Sequence, residues 1–497
     1  MSKSEELHVT LGCQHAFADP DKAHYCNYIQ VPGLLKTFYP GAKTVDEILL
    51  CSGLYSYAIW WKLQEAELLY LLEMAQAGKP LSPEECYQAI KRANRCVETG
   101  RIMLSQGVIL RSELLRRKGN VNFRFSSGNP SQLEIFQAVT RLSRQLEQSV
   151  NNFKLSPALD EPAGERLLNS LKDLILTHVD SHNTIRHDFS TLLWAMHEQP
   201  ASRVVRFKEV VPAEQLLSYS EATLHKHHPQ VFNEPHGSND ELTFITAHQA
   251  FEVWFPTVIN SIQEATRLLR ERPARTWEAE ALARRIADIF YLFGRMIHVP
   301  QTMTAVDYIE FRDQLKAGSG VESYQFRTIE ISAGLRDPRY RRTIERMQLM
   351  TPDLALLWDA PSLNNAFMEL LEDRNIIQAG DAPEVVALKL AAISTPTGES
   401  NPHVDIMALA ESLVRFEQNV ELWRNHHIAM VTRMIGRKTG TGAATYSQFS
   451  QDQDEAFDSL PYLRNTLKYQ KIFPALWDAR DFLQEHSRLV ETGTADV

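Results

Sequence analysis

The chain reads as an all-α protein built from two tandem copies of one helical domain. Three observations predict this. Long segments carry apolar residues at helical spacing, as in Asp240–Phe255 (DELTFITAHQAFEVWF), where Phe244, His248, Phe251 and Phe255 follow i, i+4, i+7, i+11. Clear strand patterns and Gly-rich phosphate loops after strands are missing. Asp46–Trp61 (DEILLCSGLYSYAIWW) aligns without gaps onto Asp240–Phe255, keeping the acidic pair, the apolar face and a Trp in register, Trp60 with Trp254. A period that long exceeds a solenoid unit. It predicts a duplicated domain, 1–212 followed by 213–497.

Composition narrows the class. At 497 residues, 44% hydrophobic and 23% charged, the chain is an ordinary globular protein able to enclose a sizeable cofactor. A net charge of −10 argues against a phosphate-backbone binder, so no nucleic acid partner is expected. The N-terminus MSKSEELHVT lacks an apolar signal region and no run is long enough to span a bilayer, so a cytoplasmic protein without a membrane partner is expected. Cys13, Cys26, Cys51, Cys86 and Cys96 are an odd set with no CxxC pair. That argues against disulfides, a zinc ribbon or covalent haem attachment, and predicts reduced structural thiols. Loop-like punctuation falls at Lys79–Pro83, Asn151–Gly164, Pro229–Ser238 and Ser394–His403.

Within the Asp240–Phe255 helix, His248 is the one imidazole on an aromatic face. A lone histidine there is ordinarily a satisfied core residue, but its register partner in the first copy is Leu54, and Glu252 likewise meets Ala58. Downstream, Thr304 and Asp307 in Thr302–Gln314 (TMTAVDYIEFRDQ) form a capping-box pattern, so a helix should start there, with Tyr308 and Arg312 one turn apart. An Arg beside an aromatic pocket offers a planar fork for a carboxylate; on spacing alone, a surface Arg paired with Asp313 or Glu310 is the favoured reading. In Leu422–Gly442 (LWRNHHIAMVTRMIGRKTGTG), His427, Met430, Val431 and Met434 share one face of a helix expected to end near Gly440. A histidine leading a Met-lined stripe suits a proximal haem ligand, with Arg424, Arg433 and Arg437 near enough in sequence to meet propionates, although on spacing alone such a stripe is more often plain core. Spacing leaves His426 open as the alternative.

Together these stretches resemble the tryptophan 2,3-dioxygenase family. The family pattern runs DE-x-LFI-x-x-HQ-x-x-E-L-W-F, then T-x-T-x-x-(D/E)-(F/Y)-x-x-FRD-x-L with SG-x-x-S-x-Q-(F/Y)-R-x-x-E. It closes on LWR-x-x-H-x-x-x-V-x-R-x-(I/L)-G-x-K-x-GTG. This chain has DELTFITAHQAFEVWF, TMTAVDYIEFRDQLKAGSGVESYQFRTIE and LWRNHHIAMVTRMIGRKTGTG in the same order, within about Leu216–Leu483. The resemblance implies His427 as the axial ligand of haem b, in preference to His426, and His248 as the distal histidine that binds the indole N–H. It implies Phe244 packing on the substrate ring, Arg312 binding the amino acid carboxylate, Tyr308 lining the pocket and Thr441 touching the amino-acid end.

The chain also departs from the family. The family's GTG continues into Gly-Ser-Ser-Gly, whereas Gly440-Thr441-Gly442 here runs into Ala443-Ala444-Thr445-Tyr446. Pro256 replaces the usual basic residue after the Trp-Phe pair and should kink the helix. In the family an N-terminal Tyr-x-x-Tyr-Leu segment reaches into a neighbouring subunit's pocket. Its best match is Tyr25–Leu35 (YCNYIQVPGLL) in the first copy, while the second copy keeps only Tyr219. The expectation is a pseudo-dimer in which a non-catalytic first copy lends Tyr25, Tyr28 and Ile29 to the second copy's pocket.

The implied function is insertion of O2 across the indole C2–C3 bond of L-tryptophan, or a close derivative, to give N-formylkynurenine, by a homo-oligomer arranged as a dimer of pseudo-dimers. One alternative is a haem-dependent mono-oxygenase or hydroxylase of a modified tryptophan or another aromatic amino acid. Another is a non-catalytic haem or tryptophan sensor.

Overall fold

The computed structural model describes residues 24–116, 120–157, 161–227, 240–312, 320–394, 401–436, 467 and 471–491. Helices dominate these residues; the named strands are a single short parallel pair, Phe123–Phe125 beside Arg203–Val205. The class predicted from periodicity is the class observed.

Local signals start the helices. Thr44 caps the Val45–Gln76 helix through a capping box: its hydroxyl accepts the Glu47 N–H at 3.1 Å, and the Glu47 carboxylate accepts the Thr44 N–H at 3.2 Å. From Asp46 to Trp61 every side chain of this helix is buried. A helix apolar on all sides belongs in a core, and this one lies against the Pro83–Arg116 and Glu134–Ser149 helices. Trp61 centres an aromatic cluster, stacked on Tyr57 at 5.2 Å and edge-on to Phe136 at 5.1 Å and Phe189 at 4.8 Å. Such ring pairs add about 0.5–1.5 kcal/mol each beyond the area they bury.

The chain gathers into two compact units that do not follow chain order. The first takes 1–257, 292–322 and 429–442; the second takes 258–291, 323–428 and 443–497. Asp240–Thr257 and 292–322, which carry two of the sequence motifs, thus fold in one unit with the first repeat. Within it the register twins meet, Thr257 donating its hydroxyl proton to Ser52 Oγ at 2.7 Å.

The second unit is organised by two buried carboxylates. Glu330 takes Arg327 at 2.9 Å, the Tyr340 hydroxyl at 2.7 Å and the Arg424 guanidinium. Glu417 accepts the N–H groups of Ile472 at 2.6 Å and Phe473 at 3.1 Å, and the Trp477 indole N–H at 2.8 Å. Both carboxylates have several donors, as buried charge requires.

One expectation needs correction. The Val404–Ile435 helix stops before Gly440, because Gly436 takes a left-handed φ of 60° that only glycine adopts at little cost. Pro256 lies inside the Asp240–Leu269 helix, which continues through it; side chains on both sides of Pro256 are buried, so packing carries the turn that lacks one hydrogen bond. Cys26, Cys51, Cys86 and Cys96 are buried free thiols, and Cys13 lies outside the described residues. Among the described residues no helix is long and apolar enough to cross a membrane.

Candidate functional site

Over Asp240–Ile262 the Asp240–Leu269 helix is closed except at one place. From Asp240 to Ile262 every side chain is buried but two, Phe244 and His248, one turn apart. Their register partners Leu50 and Leu54 are 0% and 1% exposed. The two copies therefore share a buried helix, and only the second leaves this opening.

The chemistry of His248 follows from its surroundings. Its Nδ1 lies 2.7 Å from the Phe244 carbonyl oxygen, which can only accept, so Nδ1 carries the proton and Nε2 is left as an acceptor. Burial pushes its pKa down to about 4, with the Phe244 carbonyl opposing. At neutral pH it is an uncharged imidazole with an acceptor nitrogen. The Phe244 ring lies 4.1 Å from it, centre to centre, at 35°.

The first repeat supplies two tyrosines to this opening. Tyr25 meets His248 edge-on at 5.8 Å, and Tyr28 meets Phe244 edge-on at 6.2 Å. Each phenol donates to a carboxylate of the site helix, Tyr25 to Glu252 and Tyr28 to Glu241. Burial first and the paired carboxylate second hold both phenols protonated, well above their ordinary range. Ile29 is buried beside them, its carbonyl accepting the Gln249 amide at 3.1 Å.

The Ala305–Arg312 helix forms another wall. Thr304 and Asp307 cap it reciprocally, Asp307 accepting the Thr304 N–H at 2.8 Å and Thr304 accepting the Asp307 N–H at 3.1 Å. Tyr308 and Phe311 lie 6.2 Å and 5.6 Å from the Phe244 ring. Burial raises the Tyr308 pKa while the nearby Arg312 charge opposes it. Arg312 is half-buried at the end of this helix. Phe251 and Phe255 turn to Phe293 instead, at 5.3 Å and 5.6 Å, and form core beneath the site.

In the second unit, His427 is half-buried and stacked on Trp423 at 6.0 Å and 29°, whereas His426 is exposed. Trp423 is itself packed by Phe326 at 5.0 Å. A porphyrin asks the protein for an axial imidazole held by packed neighbours, and His427 fits that need better than its neighbour does. Among the described residues no cluster of three His, Cys, Asp or Glu gathers as around a bare ion. Arg424 is buried, its guanidinium donating to Glu330. Arg433 donates to the Gln301 carbonyl at 2.9 Å. Thr441, Arg437 and the 443–446 segment lie outside the described residues.

Of the residues singled out in the sequence, Tyr25, Tyr28, Phe244, His248, Tyr308 and Arg312 come together in the first unit. Sequence reasoning missed Phe311 and the carboxylate partner Glu241, and singled out Glu252 without giving it a partner. The exchange of Ala58 for Glu252 between the copies was the available signal for the last.

Comparison with known proteins accords with this geometry. The tryptophan 2,3-dioxygenase family profile matches residues 207–357 and 385–483. The chain is similar to tryptophan 2,3-dioxygenases from a Nocardioides species (34% identity, 50% of this chain, 86% of the relative) and a Bradyrhizobium species (31%, 49% and 84%). It is likewise similar to that of Bacillus anthracis (28%, 55% and 91%). Each relative is accounted for by about half of this chain, leaving the first repeat as additional sequence. With the profile covering half of its length, and with a helical site of this kind, the chain belongs to the tryptophan 2,3-dioxygenase family of haem-dependent oxidoreductases.

Proposed function

We propose that the protein inserts both atoms of O2 across the indole C2–C3 bond of L-tryptophan or a close derivative, giving N-formylkynurenine. The observation that carries this reading is the neutral His248, whose Nε2 is an acceptor beside the Phe244 ring. An indole N–H needs such an acceptor, and the ring needs such a face. Haem b, held through the His427 imidazole, would supply the activation of O2.

The remaining work belongs to the chain. Phe244 orients the indole plane, His248 fixes its nitrogen, and Arg312 takes the α-carboxylate in a bidentate fork with Thr441 at the amino-acid end. Tyr308, Tyr25 and Tyr28 wall the pocket and exclude water; as protonated phenols they add no charge beside the substrate. Residues 1–212 form a non-catalytic repeat and 213–497 the catalytic one, since Leu50 and Leu54 fill the equivalent opening. The assembly is a homo-oligomer of such pseudo-dimers. A cytoplasmic setting accords with the four buried free thiols.

The altered sequence after Gly442 favours one second reading, mono-oxygenation or hydroxylation of a modified tryptophan. Anaerobic reduction of the haem-loaded protein, followed by 18O2 and L-tryptophan, separates the two by product mass. Two labelled atoms are expected. One labelled atom, or turnover only of a substituted indole, overturns the first reading in favour of the second. Tight binding of haem and tryptophan without turnover overturns both and leaves a sensor.

A further inference from the structure

A charge-balanced cluster lies buried behind the site. Three cations of the first repeat's Pro83–Arg116 helix meet three carboxylates, two of which belong to the second repeat. Lys91 donates to Asp240 at 2.9 Å and to Asp307 at 3.0 Å. Arg95 donates to Asp240, to Glu67 at 2.7 Å and to the Thr302 hydroxyl at 2.8 Å. Arg92 completes the set on Glu67 at 2.9 Å. The Arg95 and Glu67 side chains are each only 1% exposed.

The two second-repeat carboxylates occupy particular places. Asp240 is the first residue of the site helix, with Phe244 one turn and His248 two turns on. Asp307 caps the short helix that carries Tyr308 and Arg312. One ammonium group, Lys91, thus ties together the first turns of the two helices that present the indole acceptor and the carboxylate fork. Asp46, the register twin of Asp240, takes the Asn120 amide at 2.9 Å. A buried carboxylate held by a cation at this spacing has little freedom to shift, because movement leaves both charges uncompensated.

We propose that Lys91, backed by Arg95, is a positioning residue that sets the separation between His248 Nε2 and the Arg312 guanidinium. The first repeat then helps select an amino-acid substrate by its length, from indole nitrogen to carboxylate. This rests on the roles given above to His248 and Arg312.

The test compares a ligand that spans both groups with one that reaches only His248. Calorimetric affinities for L-tryptophan and for indole are measured anaerobically on the haem-loaded full chain. In Lys91→Met/Asp307→Asn, which removes one cation and one anion together, L-tryptophan binds about tenfold more weakly while indole affinity is unchanged. Lys91→Arg keeps the charge, and so the fold, but alters its reach; it shows the same selective loss at smaller size. Equal losses for both ligands, or none in Lys91→Arg, overturn the proposal. Arg312→Ala is the control: if it binds L-tryptophan as the wild type does, the reading of Arg312 fails and the proposal with it. If Arg312→Ala loses L-tryptophan and both Lys91 variants keep it, only the proposal fails.

Discussion

The Tyr28 phenol, from the first repeat, donates its proton to the Glu241 carboxylate in the opening turn of the second repeat's site helix. The same Tyr28 ring lies edge-on to Phe244 one turn further along. Hydrogen bonds to a buried charged group are worth about 1.5–3 kcal/mol, so Tyr28→Phe is expected to lower unfolding free energy by that order. Tyr28→Ala is expected also to raise KM for L-tryptophan, since it removes a pocket wall. Steady-state kinetics in which Tyr28→Ala matches the wild type would leave these contacts as packing alone.

His427→Ala is expected to abolish haem uptake, read as loss of Soret absorbance per polypeptide, while His426→Ala retains it. The exposure of His426 and the packing of His427 on Trp423 are the reason. Full loading of His427→Ala would return the assignment to its neighbour.

Arg312→Lys is expected to raise KM for L-tryptophan about ten- to a hundredfold, because an ammonium cannot reproduce a bidentate fork. Tryptamine, which has no carboxylate, should be indifferent to the change. A matching loss with tryptamine would place Arg312 in the scaffold instead.

The pH dependence follows from the buried His178 and His182 and the half-buried His248. Burial pushes His248 and His178 down to about 4 and His182 to about 3, from an ordinary value of 6.5. Each is neutral in the folded state, so between about pH 6.5 and 4 the unfolded chain binds protons that the folded chain refuses. Stability is therefore full above that window and falls as pH drops through it, by about 1.4 kcal/mol per pH unit for each histidine. Urea midpoints should be level from pH 7 to 8 and lower at pH 5. A midpoint unchanged at pH 5 would contradict the burial of these imidazoles. Substrate affinity should show no inflection from His248 near pH 6.5, its acceptor nitrogen remaining unprotonated.

Legibility in the sequence divided along a physical line. Features set by neighbours along the chain could be read: the Thr304–Asp307 cap and the shared face of Phe244 and His248; the Tyr25–Tyr28 segment was legible only through the family resemblance. The helix end at Ile435 was misplaced because Gly436 and Gly440 are equally able to terminate a helix, and only the fold chooses between them. The Glu330 partner of Arg424 could not be read because it lies far back in sequence. Lys91 and Arg95 were invisible for the same reason. A charged helix face reads as solvated surface until the carboxylates that bury it are known.

The placement of Tyr25 and Tyr28 has one more consequence. They sit on the same polypeptide as His248, so completing the pocket wall is an intramolecular event at a fixed effective concentration. A pocket finished by a separate subunit empties of its donor tyrosines when the protein is diluted below the dissociation constant of the assembly. This one keeps them at any dilution, and its substrate affinity is expected not to vary with how much of the protein is present.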